Sequence, residues 1–252
     1  MNATTNTSVG CGYVDKGIIY YTDGLLGGKI LAVVQDQITK GASLPIVNVS
    51  LKPSDFGKNI VLSLKPGILS MYKQIVAGLE ESKADVVFFC EHDVLYHPSH
   101  FDFIPSEPNV FYYNVNVWRW KYPEDLAITY ENIVSLSSLC VNREFALNHY
   151  KYRLTKIYEM GWDKITNHHE PYWCRLIGHE PGTKRTRRGG ITNDRSELWR
   201  SEFPNIDIRH DRTFTRQKCT LAEFKHPPEI TTWKERRVNE IEGWTGVKEM
   251  FI

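Results

Sequence analysis

The residues best placed to do chemistry are Glu91, His92 and Asp93, in the stretch ADVVFFCEHDVLYHP. The run from Ala84 to Cys90 is apolar apart from Asp85, which is the pattern of a strand buried on both faces inside a mostly parallel sheet. Two carboxylates at i and i+2 where such a strand ends serve no packing purpose. Ligands collect at the carboxyl ends of strands in open α/β sheets. A hard divalent cation draws its oxygen ligands from one or two carboxylates and from substrate phosphates. Asp93 is therefore expected to ligate a metal, with Glu91 as a second ligand or as a partner for a ribose hydroxyl. His92, between them, is read as structural.

The elements that must position this motif follow from periodicity. Gly17 to Tyr21 is a short β-rich run stopped at Thr22-Asp23-Gly24. In GKILAVVQDQITKGA, Ile30, Leu31, Val34 and Ile38 recur at helical spacing, and Gly41 is a plausible stop. Pro45 to Leu51 reads as a second strand, and Gly67 to Ser82 as a second helix with Ile68, Met71, Ile75 and Leu79 on one face. Strand, helix, strand, helix, strand in that order predicts an α/β fold with a mostly parallel sheet. Further on, Asn109 to Trp120 alternates as one half-buried strand would, and Ile133 to Val141 is another strand candidate. Arg143 to Met160 reads as a helix opened by Asn142. Residues 161 to 216 have weak periodicity and read as functional loops, and a short amphipathic helix is expected from Trp233 to Ile241. The expected organisation is a flexible lead-in over 1–16, a catalytic domain over 17–218, and a C-terminal extension over 219–252 packed on it.

A strand-helix-strand-helix start followed by an apolar strand ending in acid-x-acid resembles the GT-A fold of glycosyltransferases, which is Rossmann-like. Glu91 stands where Asp is usual in that motif. The resemblance implies a nucleotide-diphosphate sugar donor, a UDP-sugar as first choice, and a metal bound through Asp93 with support from Glu91. It also implies a late histidine in the metal shell, and His210 in NIDIRHDRTFTR occupies the matching place. An imidazole ligand favours Mn²⁺ over Mg²⁺. Gly161-Trp162 followed by acids resembles the acceptor element of galactosyltransferase-like members. An inverting transferase needs a carboxylate to take the acceptor proton, and Glu170 is the first candidate and Asp163 the second. Trp162, Tyr172 and Trp173 are the aromatic residues that could stack on an acceptor sugar. By the same resemblance Tyr21 or Thr22 would meet the donor base and Asp23 a ribose or base edge. Ser50 and Lys52 would border the nucleotide, and Lys65 and Lys73 would reach a phosphate. The implied activity is that of an inverting, family-two-like hexosyltransferase acting on a glycan or on a hydroxylated base in DNA.

Bulk properties narrow the rest. With 41% hydrophobic and 24% charged residues in 252, the composition is globular. No apolar run approaches a membrane span, and the polar start does not read as a secretory signal. Cys11, Cys90, Cys140, Cys174 and Cys219 are scattered without a CxxC, which points to a reducing, cytoplasmic setting. The segment from Lys184 to Lys218 carries ten Lys or Arg against five acids. Its arginines could clamp a diphosphate leaving group, bind a charged acceptor or track a nucleic-acid backbone, and KRTRRGG would suit a lid over the donor, so a non-enzymatic nucleic-acid-binding protein is an alternative. A nucleotidyltransferase of related fold is another, though the loop Thr22 to Gly28 lacks the arginine such enzymes place there.

Overall fold

The computed structural model describes residues 14–164, 172–183, 192–213, 218–224, 230 and 232–252. Its centre is a seven-stranded sheet in the order β10-β6-β9-β4-β1-β2-β3. The strands are β1 (Lys16–Thr22), β2 (Ile46–Ser50), β3 (Lys58–Val61), β4 (Val86–Glu91), β6 (Val110–Asn114), β9 (Leu139–Asn142) and β10 (Arg195–Trp199). Only β9 runs antiparallel to its neighbours; the other pairings are parallel. The helices are α1 (Lys29–Gly41), α2 (Ile68–Glu81), α3 (Arg143–Glu159) and α4 (Tyr172–Ile177). This is the mixed α/β architecture that the alternation of patterns predicts. Among the described residues no helix is long and apolar enough to cross a membrane.

Strand pleating divides the core. Ile18, Tyr20, Phe88 and Cys90 point to one face and pack with Ile30, Val34 and Ile38 of α1. Ile19, Tyr21, Val87 and Phe89 point to the other and pack with Ile75 and Leu79 of α2 and Tyr150 of α3. Each large apolar side chain so enclosed contributes about 1.5–3 kcal/mol. Helix α2 approaches closely because residue 78 is glycine: a Cβ there would lie 2.8 Å from Ile19 Cγ2. Helix α3 is capped as its sequence suggests, with Asn142 Oδ1 accepting from Phe145 N–H at 3.1 Å.

A second sheet of five strands, β12-β8-β7-β11-β5, lies against the α1 face. It comprises β5 (Val94–Leu95), β7 (Val117–Lys121), β8 (Ala127–Thr129), β11 (Asn205–Arg209) and β12 (Lys234–Arg236). The single strand expected over Asn109 to Trp120 is therefore two strands in different sheets. The cause is Asn114, whose Oδ1 accepts from Asn116 N–H at 2.9 Å and closes a turn between them. Of Ile133 to Val141 only the end is strand; Leu136–Ser138 is a 3₁₀ turn. The expected helix from Trp233 to Ile241 is instead β12, paired antiparallel with β8, followed by a 3₁₀ turn at Val238–Glu240. Its three-residue apolar spacing is used to seat Val238, Ile241, Trp244 and Val247 in the core. The loop-like region after Gly161 also contributes α4, β10 and β11.

Candidate functional site

The sheet order places β1 between β2 and β4, so the chain leaves β1 toward one side and returns on the other. The carboxyl ends of β1 and β4 thus flank a switch point, where open α/β sheets open a crevice. Tyr21 is opposite Glu91 in that pairing. Beyond Glu91 the chain turns at His92-Asp93 and re-enters as β5. Strand β5 runs antiparallel to β11 with Val94 opposite Asp207. One step further along that ladder, Ile208 N–H donates to the Asp93 carbonyl at 2.7 Å. This register carries the exit of β11, and with it His210, back to the turn that holds His92 and Asp93.

The outcome is a compact cluster. One ligand atom from each of His92, Asp93 and His210 lies within 4.8 Å of the others, an arrangement that could hold a metal ion. His210 Nε2 is 3.6 Å from Asp93 Oδ2. Both His92 Nδ1 and His210 Nε2 are buried with no hydrogen-bond partner, although buried polar atoms are normally satisfied. A cation shared by these groups would satisfy both, so the residues fit a metal. Although burial works against ionisation, contact with His210 and the charges of His92 and Arg209 hold the Asp93 carboxyl below the usual range.

Glu91 is held differently. Its Oε1 accepts from the Tyr21 hydroxyl at 2.5 Å, and its backbone N–H donates to the Tyr96 hydroxyl oxygen at 2.9 Å. Burial first, then the Asp93 charge, push its carboxyl up to about 8, with the Tyr21 hydrogen bond pulling the other way. The i, i+2 spacing would put both acids on one face only if the strand continued. It ends at Glu91, so Glu91 follows Val87 and Phe89 toward α2 while Asp93 turns to His210. Beside the cluster, β11 alternates Ile206 and Ile208 into the core with Asp207 and Arg209 on the opposite side. Arg209 Nη2 is 2.8 Å from Asp207 Oδ2, and Arg119 Nε from β7 is 3.5 Å away. Sequence reasoning passed over Asp207 and Arg209. An acid and a base inside the apolar run NIDIR were the available signal.

Several residues expected to bind the donor or acceptor are engaged in contacts within the fold. Tyr21 is buried against Phe89, ring centroids 6.2 Å apart, and does not present a stacking face. Thr22 is buried, its Oγ1 accepting from Gly24 N–H at 3.1 Å. Asp23 Oδ1 accepts from Leu25 N–H at 2.9 Å, shaping the loop after β1. Gly24, at φ 68°, lies against the Lys52 side chain. Ser50 is enclosed, donating to the Lys52 carbonyl at 2.5 Å and accepting from Asn59 Nδ2 at 2.8 Å, so it is part of the β2–β3 edge. Lys65 is exposed, while Lys73 Nζ sits 5.8 Å from the Tyr158 ring in a groove between α2 and the loop after β3.

Trp173 is 1% exposed and packs on Tyr72, so it fills the core and offers no surface to a sugar. Trp162 packs partly buried against the same core, and Asp163 lies with it in a 3₁₀ turn after α3. Glu170 and the Tyr172 side chain lie outside the described residues. So do Lys184 to Arg188 of the basic segment. Of its described arginines, Arg195 pairs with Glu107, Arg209 with Asp207, and Arg212 Nη1 donates to the Leu25 carbonyl at 2.8 Å. These contacts are internal, and nothing here supports a DNA acceptor.

No family profile and no curated protein matches the chain. Among solved structures, it is similar to Drosophila β-1,4-galactosyltransferase 7, a mutant in complex with manganese, UDP-Gal and xylobiose. Identity is 14% over 59% of this chain and 63% of that one, with a TM-score of 0.36. The chain therefore spans less than two thirds of that protein's length. It is also similar to LgtC, solved as an active-site mutant, at 10% identity over 86% of this chain and 96% of that one, TM-score 0.42. Both neighbours are GT-A glycosyltransferases.

Proposed function

We propose that this chain is a metal-dependent glycosyltransferase that moves a hexose from a nucleotide-diphosphate donor, first of all a UDP-sugar, to a glycan hydroxyl with inversion. The observation that carries the reading is the pairing of Asp93 and His210, 3.6 Å apart at the carboxyl ends of β1 and β4. Nothing in the packing of either strand requires a carboxylate to meet there an imidazole whose Nε2 has no hydrogen-bond partner.

Each residue has a role in that reading. Asp93 and His210 would hold the cation, with Mn²⁺ preferred to Mg²⁺ because an imidazole would be among the ligands. A divalent ion so held would supply Lewis-acid neutralisation of the departing diphosphate. Glu91, engaged by Tyr21, supports the turn that carries Asp93. Arg212, bonded to the loop after β1, fixes the exit of β11 against the donor side. Asp163 and Glu170 are the candidates for the base that takes the acceptor proton as the hydroxyl attacks. The test is a thermal-shift panel of UDP-, GDP-, dTDP- and CMP-sugars with and without Mn²⁺, on the wild type and on Asp93→Asn. A ligand that binds only the folded protein raises its melting temperature by mass action.

A further inference from the structure

We infer that the metal is held by His92, Asp93 and His210 together, so that the site loads a first-row transition dication without nucleotide and discriminates against Mg²⁺. The inference rests on the metal-binding part of the reading above and sharpens it. The spacing of the acids points to Glu91 and Asp93 as the ligand pair, with the residue between them uninvolved. The fold assigns these positions otherwise. Strand β4 ends at Glu91, and Glu91 spends its Oε1 on the Tyr21 hydroxyl at 2.5 Å. His92 and Asp93 form the turn, and it is their side chains that meet His210.

Two consequences follow from the donor set. Mg²⁺ sites use one or two carboxylates and rely on substrate phosphates and water for the remaining ligands. Three protein ligands with open positions can retain a metal before any phosphate arrives, as catalytic sites with three protein ligands do. Two imidazoles beside one carboxylate also suit Mn²⁺, Fe²⁺, Co²⁺ or Zn²⁺ better than Mg²⁺, which wants oxygen throughout. The orphaned His92 Nδ1 and His210 Nε2 are the independent sign that two buried ring nitrogens of this pocket lack a partner.

The experiment is a Co²⁺ titration of the full chain without nucleotide, followed by visible absorption and calorimetry, on wild type, His92→Ala, His210→Ala and Glu91→Gln. Melting curves of the metal-free variants establish that each is folded. The wild type is expected to bind one Co²⁺ with a ligand-field spectrum. Glu91→Gln should keep that spectrum. Removing an outer-shell partner costs about 10–100-fold in affinity, so loss of a direct ligand in His92→Ala should cost at least about 100-fold. A roughly hundredfold excess of Mg²⁺ should not displace the Co²⁺. Unchanged affinity and spectrum in a folded His92→Ala, alongside loss in His210→Ala, would overturn the role of His92 and leave the broader metal reading standing. No Co²⁺ binding by the wild type without nucleotide overturns the preloaded site. Co²⁺ binding through His92 in a protein that responds to no nucleotide-sugar keeps this inference and removes the transferase reading.

Discussion

At the residue scale, His210 is the side chain on which the site turns, because its two nitrogens face different partners. Nε2 is aimed at Asp93, 3.6 Å from its Oδ2, and Nδ1 accepts from the Arg212 backbone N–H at 3.2 Å. His210→Ala is therefore expected to lower Co²⁺ affinity at least about 100-fold in a variant whose metal-free form still folds, and an unchanged affinity in the same titration would contradict its place in the site. The sequence made Asp93 legible through the buried strand behind it. His92 was not legible, since its reading depended on where β4 stops, and strand ends are set by pairing. Trp173 was misread because an aromatic residue near acids has the same composition whether it lines a cleft or fills a core.

At the element scale, the site depends on the chain passing cleanly from one sheet to the other. Asn114 governs that passage. Its Oδ1 accepts from Asn116 and Ser201 N–H groups, and its Nδ2 reaches Ser201 Oγ at 2.8 Å and His100 Nδ1 at 3.0 Å. Asn114→Ala would leave those buried groups unsatisfied and open a void. It should destabilise the protein by about 2–4 kcal/mol in urea unfolding, and a loss below about 0.5 kcal/mol would refute the role. The βαβα start was readable because apolar spacing changes cleanly between period 2 and 3.6. The break at Asn114 was obscured by alternation that continues through it. The edge strand β3 was missed because only four residues form it, held through Asn59 to the Asn48 carbonyl and Ser50. The tail pattern suited a helix, but pairing with β8 prevailed.

At the scale of the whole molecule, the two sheets are locked by His100, whose Nδ1 faces Nδ2 of Asn114 from the first sheet and of Asn205 from the second. The carboxamide oxygens of both asparagines are occupied by backbone N–H groups, so their amino groups donate and His100 must be neutral. Burial lowers its pKa to about 3, against about 6.5 in the unfolded chain. Between those values the unfolded state binds the proton and the folded state does not. The contribution is complete above about pH 6.5 and is lost as pH falls toward 3, at about 1.4 kcal/mol per unit. The His100 ring signal in NMR should therefore not titrate above pH 5, and a midpoint near 6.5 would contradict the network. Fold class was legible at this scale, because composition and element order constrain it. The second sheet was not, since its strands come from distant segments that only tertiary pairing unites. The claim that joins all three scales is that donor binding requires a metal on Asp93 and His210. It is tested most directly by the melting temperature with nucleotide-sugar and Mn²⁺, in wild type and in Asp93→Asn. A matching donor at about a hundredfold its Kd should raise it by roughly 5–10 °C in the wild type. The shift should vanish in Asp93→Asn or with excess chelator. A shift of the same size in the chelated wild type would contradict the account.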